Sequence, residues 1–358
     1  MVRADRKTLP KAIINNVNRC GRIFSNGVTK LSQTQSDQNS SVGAKSFYGP
    51  STFVPARGSK VEAMILQLFQ SSVAWFKSDS DVIWFLVFWS FLVILGALEI
   101  VIPAFQQPPE RLHRWPTNFS LGVVNTMVLP LAPVSAVWGA NWAYGQSIGL
   151  LNHIAHPWWI AVVVTFAVRS LAGYLDHVLM HKVPLLWRVH RVHHLDTHLD
   201  ISTSLRSHPA ELVTNLLIIV PTSIGFGLTP WVLVFYELTD SMVSVFSHAN
   251  LRMPEGLDRW LRWVLVTPNM HSLHHSSYQP ETDSNYGTVF TLWDRLFGTY
   301  RHAPMGGYDK LQIGLREIRD QRASDLWWQL KSPALRIPSA STGSSEDDSL
   351  LIGNRAKP

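Results

Sequence analysis

The 358-residue chain has one cysteine, Cys20, so no disulfide can form within it, and a lone thiol does not report the redox compartment. No apolar core follows its first basic residues, which argues against a cleaved secretory signal. Charge is sparse, 16% of residues, and unevenly placed. Residues 1–60 hold ten Lys and Arg against Asp5 and Asp37, a local +8 in a chain whose total is +6. The remainder is therefore near −2, and the folded part offers no basic surface for nucleic acid. The Ser-, Asn- and Gln-rich arm at 1–60 reads as disordered, free to touch anionic lipid.

Long apolar runs stand where charge is missing. Residues 82–104 carry one acid, Glu99, and are long enough to cross a bilayer. A second run, 118–140, is interrupted by Pro130 and Pro133, and a third, 157–175, contains Arg169. The run at 211–247 is broken at Gly225, Gly227 and Pro230, which predicts a hairpin of two spans. The pattern predicts an all-α, integral-membrane helical bundle of about four spans plus interfacial helices. One interfacial helix is expected at 61–76. Trp is abundant, and Trp158, Trp159, Trp187, Trp231, Trp260 and Trp263 fall near span ends, the level an amphipathic ring prefers. Counting spans from a basic N-terminus leaves a parity conflict, repaired either by a re-entrant second run or by a crossing at 61–76.

Histidine is the residue the chain is organised around. His177 and His181 form an HxxxH pair, His190, His193 and His194 an HxxHH set, and His271, His274 and His275 a second HxxHH set. Residues three and four apart share a helix face, so each set aims its imidazoles one way. A single histidine beside an apolar segment is usually a satisfied core residue; three such sets imply a metal-binding cap. Imidazole suits zinc, copper, iron and nickel, and the spacing does not name the metal. A structural zinc takes four ligands, so eight imidazoles imply two ions or one site with a surplus. Lys182, Arg188, Arg191, Arg206, Arg252, Arg259 and Arg262 flank these sets and place the histidine face in the cytosol. His153 and His156 precede the third span, on the opposite face, and read as interfacial residues.

The order of the sets, with the phrases LWRVHRVHH, STSLRSHPAE, FSHAN, TPNMHSLHH and ETDSNYGTVFTLWDRLFGTY, resembles the membrane-bound fatty acid hydroxylase/sterol desaturase superfamily over roughly residues 82–302. The resemblance implies a non-haem di-iron, O2-dependent oxidoreductase that hydroxylates or desaturates a lipid such as a sterol or fatty-acyl substrate. It implies two iron ions held by His177, His181, His190, His193, His194, His271, His274 and His275, with O2 as co-substrate. His248, in FSHAN, resembles a further ligand, and His208, in RSHPAE, fills another recurrent position. His198 and His302 are expected in solvated loops. Asp176, Asn250 and Asp283 are expected to orient the ligands, with Asp196, Asp200 and Glu211 as further candidates. No cytochrome or flavin domain is expected within the chain, so a separate electron donor is implied, cytochrome b5-like, ferredoxin-like or a reductase. The expected domains are an arm at 1–60, a membrane-embedded domain at 61–304 with its histidine core at 176–302, and a C-terminal helix and disordered tail at 305–358. The competing readings are a membrane metal-binding or transport protein and a catalytically silent relative.

Overall fold

The computed structural model describes residues 80–105, 111–129, 132 and 135–337; the arm at 1–60, the helix expected at 61–76 and the tail from 338 lie outside the described residues. Every regular element among the described residues is helical, with three isolated bridges, Pro103 to Leu251, Leu265 to Phe290 and Ser276 to Ile313. The longer elements are α1 (Ser80–Val101), α2 (Arg111–Val128), α3 (Ala136–Gly145), α4 (Trp158–Lys182) and α5 (Pro184–His194). Then come α6 (Pro209–Phe226), α7 (Pro230–His248), α8 (Glu255–Leu261), α9 (Pro268–His274), α10 (Leu292–Phe297) and α11 (Leu326–Lys331).

Proline and glycine set the joints. Pro184 sits at the first position of α5, where its missing N–H is no loss, so α4 stops and α5 restarts at once. Gly227, in the left-handed region at φ 63°, ends α6, and Pro230 opens α7, giving the hairpin expected at 211–247. At that corner a Cβ on Gly149 would lie 2.3 Å from the Gly227 nitrogen, so two backbones meet where no side chain fits. Within α6 the ladder widens to a π-helical turn at Asn215–Ile219.

The run at 118–140 is not one span. It is divided between α2 and α3, and α3 packs against α6, where a Cβ on Gly139 would meet Val220 and Ile224 at 3.1 Å. Among the described residues two helices, α4 and α6, are long and apolar enough to cross a membrane, and Phe85–Val101 within α1 is a shorter apolar helix. The core helix of a soluble protein would be mostly covered, yet only 39% of the apolar window of α4 and 22% of that of α6 are buried. The outward faces are apolar, with Phe85, Val93, Ile100, Val163, Val213 and Leu217 exposed.

Three packing zones hold the histidine end together. Phe88, Leu92 and Leu95 of α1 pack with Ile201, Val245 and Leu251. Tyr236 and Val243 of α7 pack with Val266 and Val289. Residues beyond 305, expected as a helix and tail, fold back: Ile318 and Ala323 pack on Leu195. Arg191 of α5 donates to the carbonyls of Ser332 and, at 3.0 Å, of Leu335.

Candidate metal centre

α4 delivers His177 and His181 at its polar end, α5 carries His190, His193 and His194, α7 ends on His248, and α9 carries His271 and His274 with His275 just beyond. α9 begins with the Thr267 side chain accepting from the Met270 N–H and with Pro268 at its first position, a start signal written in the sequence itself. All nine histidines are buried.

They form two groups. His177, His181, His190, His194 and His274 make one; His193, His248, His271 and His275 make the other; within each, the ligand atoms lie within 4.8 Å of one another. Helical geometry explains the division. Pairs four apart stay together, as 177/181, 190/194 and 271/275 do, whereas neighbours rotate by about 100° per residue. So His193 leaves His194 for the second group, and His274 leaves His275 for the first.

The outer nitrogens decide the protonation. Nδ1 of His177 donates to the Tyr286 carbonyl at 2.8 Å, of His193 to Arg206 at 2.9 Å, of His248 to Ser244 at 2.7 Å and of His274 to Ser284 at 2.8 Å. A carbonyl only accepts, so each Nδ1 carries the proton and each Nε2 presents a lone pair inward. Burial first, then the neighbouring imidazoles, push His193, His194, His271 and His275 well below the ordinary histidine range, and His274 falls to about 3. These imidazoles are therefore neutral near pH 7, the form that ligates.

The consequence is sharpest between His193 and His248. Their Nε2 atoms are 3.0 Å apart, and with both Nδ1 atoms protonated neither neutral ring has a proton to place between them. Two facing lone pairs in a buried site call for a cation. His181 and His194 each bury both ring nitrogens, and His274 its Nε2, without a protein partner, which fits the same demand. Nitrogen donors in this number suit a first-row transition metal, so the residues present fit two ions.

The fatty acid hydroxylase family model matches residues 162–299, a span that contains all nine histidines. Residues 162–299 are thus a fatty acid hydroxylase domain. Alkylglycerol monooxygenase of Xenopus tropicalis is 27% identical over 215 residues, covering 59% of this chain and 46% of that protein. Ornithine lipid hydroxylase OlsE of Rhizobium tropici is 23% identical over 241 residues, covering 64% and 70%. A cholesterol 25-hydroxylase-like protein of Danio rerio is 30% identical over 175 residues, covering 48% and 66%. The matched region thus spans about half the length of the alkylglycerol monooxygenases it resembles. No solved structure matches the chain.

Within the hydroxylase domain the other expected site residues separate. His208 lies in neither group: its Nδ1 accepts from the Ala210 N–H, its Nε2 faces the Leu330 carbonyl at 3.2 Å, and Glu211 caps back to its N–H. The HPAE phrase is a reciprocal cap for α6. Asn250 is not beside an imidazole either; it bonds the Phe105 backbone in both directions. Asp283 stands behind His181, 3.7 Å from its Nδ1, and Glu211 stands 3.6 Å from Nδ1 of His190. Asp176 faces the Thr214 hydroxyl at 3.5 Å.

Asp196 and Asp200 serve Arg114 rather than an imidazole. Burial pushes the Asp196 carboxyl up, but the Arg114 and Arg206 charges and the hydrogen bonds from Arg114 and Thr203 hold it well below the usual range; Asn118 also donates to it. Arg206, one of the basic residues flanking the histidine sets, is fully buried and donates to Val192, Asn118 and Ala323 while its own carbonyl orients His193. Nothing in the sequence marked Arg114 or Arg206 as interior, because an isolated Arg near a span end reads as solvated. Asp294 was equally silent. It accepts from the N–H groups of Tyr286 and Gly287 and from the Thr299 hydroxyl, fixing the turn whose carbonyls orient His177 and His274. Gly287 is required there, since a Cβ would lie 2.5 Å from the Phe290 carbonyl oxygen. Trp187 and Tyr286 wall the five-histidine group, their rings 5.0 and 5.1 Å from that of His181.

Proposed function

We propose that the chain is a membrane-bound, O2-dependent oxidoreductase that hydroxylates a lipid, with nine histidines holding two iron ions. The observation that carries the reading is the buried array of neutral imidazoles, divided five and four, with nitrogens converging. Iron held there supplies dioxygen activation, which no side chain can perform as acid, base or nucleophile. One oxygen atom enters a C–H bond and the other leaves as water, drawing two electrons and two protons from outside. The electrons come from a separate donor of the cytochrome b5, ferredoxin or reductase kind.

The chain's own residues prepare the site. Backbone carbonyls of Tyr286, Arg206, Ser244 and Ser284 hold four imidazoles in the ligating tautomer. Asp283 and Glu211 stand behind His181 and His190 at 3.7 and 3.6 Å, close enough to act on their charge but beyond a direct hydrogen bond. Trp187, Tyr286 and the fold-back of 311–337 exclude water, so reactive oxygen is spent on the substrate. Hydroxylation is preferred to desaturation because the related proteins are named as hydroxylases and monooxygenases. The exposed apolar faces of α1, α4 and α6 support membrane insertion, with the histidine end towards the cytosol. A transport reading would want ligands near mid-span, whereas His181 and His248 lie at helix ends.

The test is product analysis. Iron-loaded protein with a reductant and 18O2 is expected to place one 18O atom in a lipid hydroxyl. Oxygen uptake with no labelled lipid, across neutral, zwitterionic and sterol fractions, overturns the reading.

A further inference from the structure

A cavity of about 800 Å³ opens between α2, α3, α6 and the middle of α4 and α7. Its size suits one lipid chain or a drug-sized ligand. The apolar wall includes Val137, Leu212, Leu216, Ile219 and Val220, and the π-helical turn Asn215–Ile219 forms part of it. A widened turn in the middle of a spanning helix is an uncommon feature, found mostly at functional positions.

One polar group ties the cavity to the histidine site. Glu211 lines it and stands 3.6 Å from Nδ1 of His190, so the cavity ends against the back of the ligand shell. Arg169 and Glu237 also line it, bound to each other through two bonds of 2.7 and 3.0 Å. Along α4, Arg169 lies two turns before His177 and folds over Gly173, where a Cβ would meet its Nη1 at 3.2 Å. Asp240, one turn beyond Glu237 on α7, adds a further carboxylate within reach of Arg169. The charged lining is thus the Arg169–Glu237 pair, whose charges cancel, and Glu211, which leaves one net negative charge.

We propose that this cavity takes the alkyl chain of the lipid substrate and that its negative polar end selects a lipid whose polar group is uncharged or cationic. An anionic headgroup, such as that of a free fatty acid, meets the uncompensated Glu211 carboxylate in a poorly hydrated space and is rejected. That the occupant is the substrate rests on the oxygenase reading; that the cavity takes such a lipid does not.

The experiment uses the full chain in phosphatidylcholine nanodiscs and a C16 monoacylglycerol bearing a photoreactive diazirine on its chain. Labelling is mapped by mass spectrometry, with three C16 competitors: monopalmitoylglycerol, hexadecylamine and hexadecanesulfonate, whose charge is permanent. The expected label falls on peptides of α3 and α6, and the neutral and cationic competitors suppress it on the order of tenfold better than the sulfonate. E237Q is expected to narrow that gap by a similar factor. Label confined to the outward faces of α1 and α4 overturns the cavity, and a sulfonate that competes equally overturns the charge selection. Both readouts stand on the unaltered protein, whatever the folding of E237Q. Iron content measured on the same sample separates the two readings: expected labelling on protein that binds no iron sinks the oxygenase and leaves the cavity.

Discussion

Glu99 is the one acid of the first apolar run, and its side chain is fully buried. Its Oε1 accepts from the N–H groups of Ile201 and Asn250, each at 2.8 Å, and its Oε2 meets Arg111 at 3.4 Å. The carboxylate thus latches α1 to the turn after α5 and to the residues directly following His248. Glu99→Leu leaves two buried donors unpaired at about 1–3 kcal/mol each, so a loss of about 2–6 kcal/mol is expected. At roughly 2–4 °C per kcal/mol for a chain of this order, the midpoint should fall by about 4–24 °C. Glu99→Gln keeps an acceptor oxygen and loses only the longer, partly exposed contact to Arg111, so it should cost under about 1 kcal/mol. The assay is thermal unfolding in one detergent at fixed iron, with iron counted on the same samples. The four-histidine group should lose metal first in the Leu variant, because Asn250 is two residues past His248. A Leu variant within about 1 °C of the parent, or a Gln variant as damaged as Leu, would refute the reasoning.

Other substitutions separate ligands from supports. His193→Ala and His274→Ala each remove one ligand from a different group, so each should lower bound iron by about one per chain and abolish turnover; full activity in either sinks the assignment. His208→Ala removes only a helix cap, so stability should fall by about 0.5–2 kcal/mol while iron content holds, and loss of iron would restore His208 as a ligand. Gly287→Ala drives a methyl group into the Phe290 carbonyl and the Asp294 carboxylate, 2.8 Å away, so it should destabilise by about 1–3 kcal/mol. Metal should leave the five-histidine group first in that variant, read by iron titration, since the shifted turn orients His177 and His274.

The clustering of the histidines was legible because they sit on helices, where spacing converts directly into a shared face. HxxxH and HxxHH each keep one pair four apart, and those pairs do stay together. The division between groups was not legible, because it depends on which way α5 and α9 turn relative to one another. That relation is a tertiary property, carried by contacts between segments far apart in the chain, as His177 to Tyr286 is. The same limit hid the supporting network. Arg114, Asn118 and Asp196 are 78 or more residues apart in their pairings, and no local pattern joins them. His208 misled because a histidine before Pro-Ala-Glu reads as well for a ligand as for a cap. The apolar run at 118–140 was legible as interrupted at Pro130 and Pro133, and it is divided between α2 and α3; how the two pieces pack was not legible.

The most direct test of the account is iron stoichiometry by Mössbauer spectroscopy on 57Fe-loaded, detergent-purified protein whose folding is verified by its thermal transition. About two high-spin ferrous ions per chain in nitrogen-rich surroundings are expected, their signals changing when O2 is admitted. Folded protein that takes up no stoichiometric iron, while its nine histidines remain buried, would contradict it.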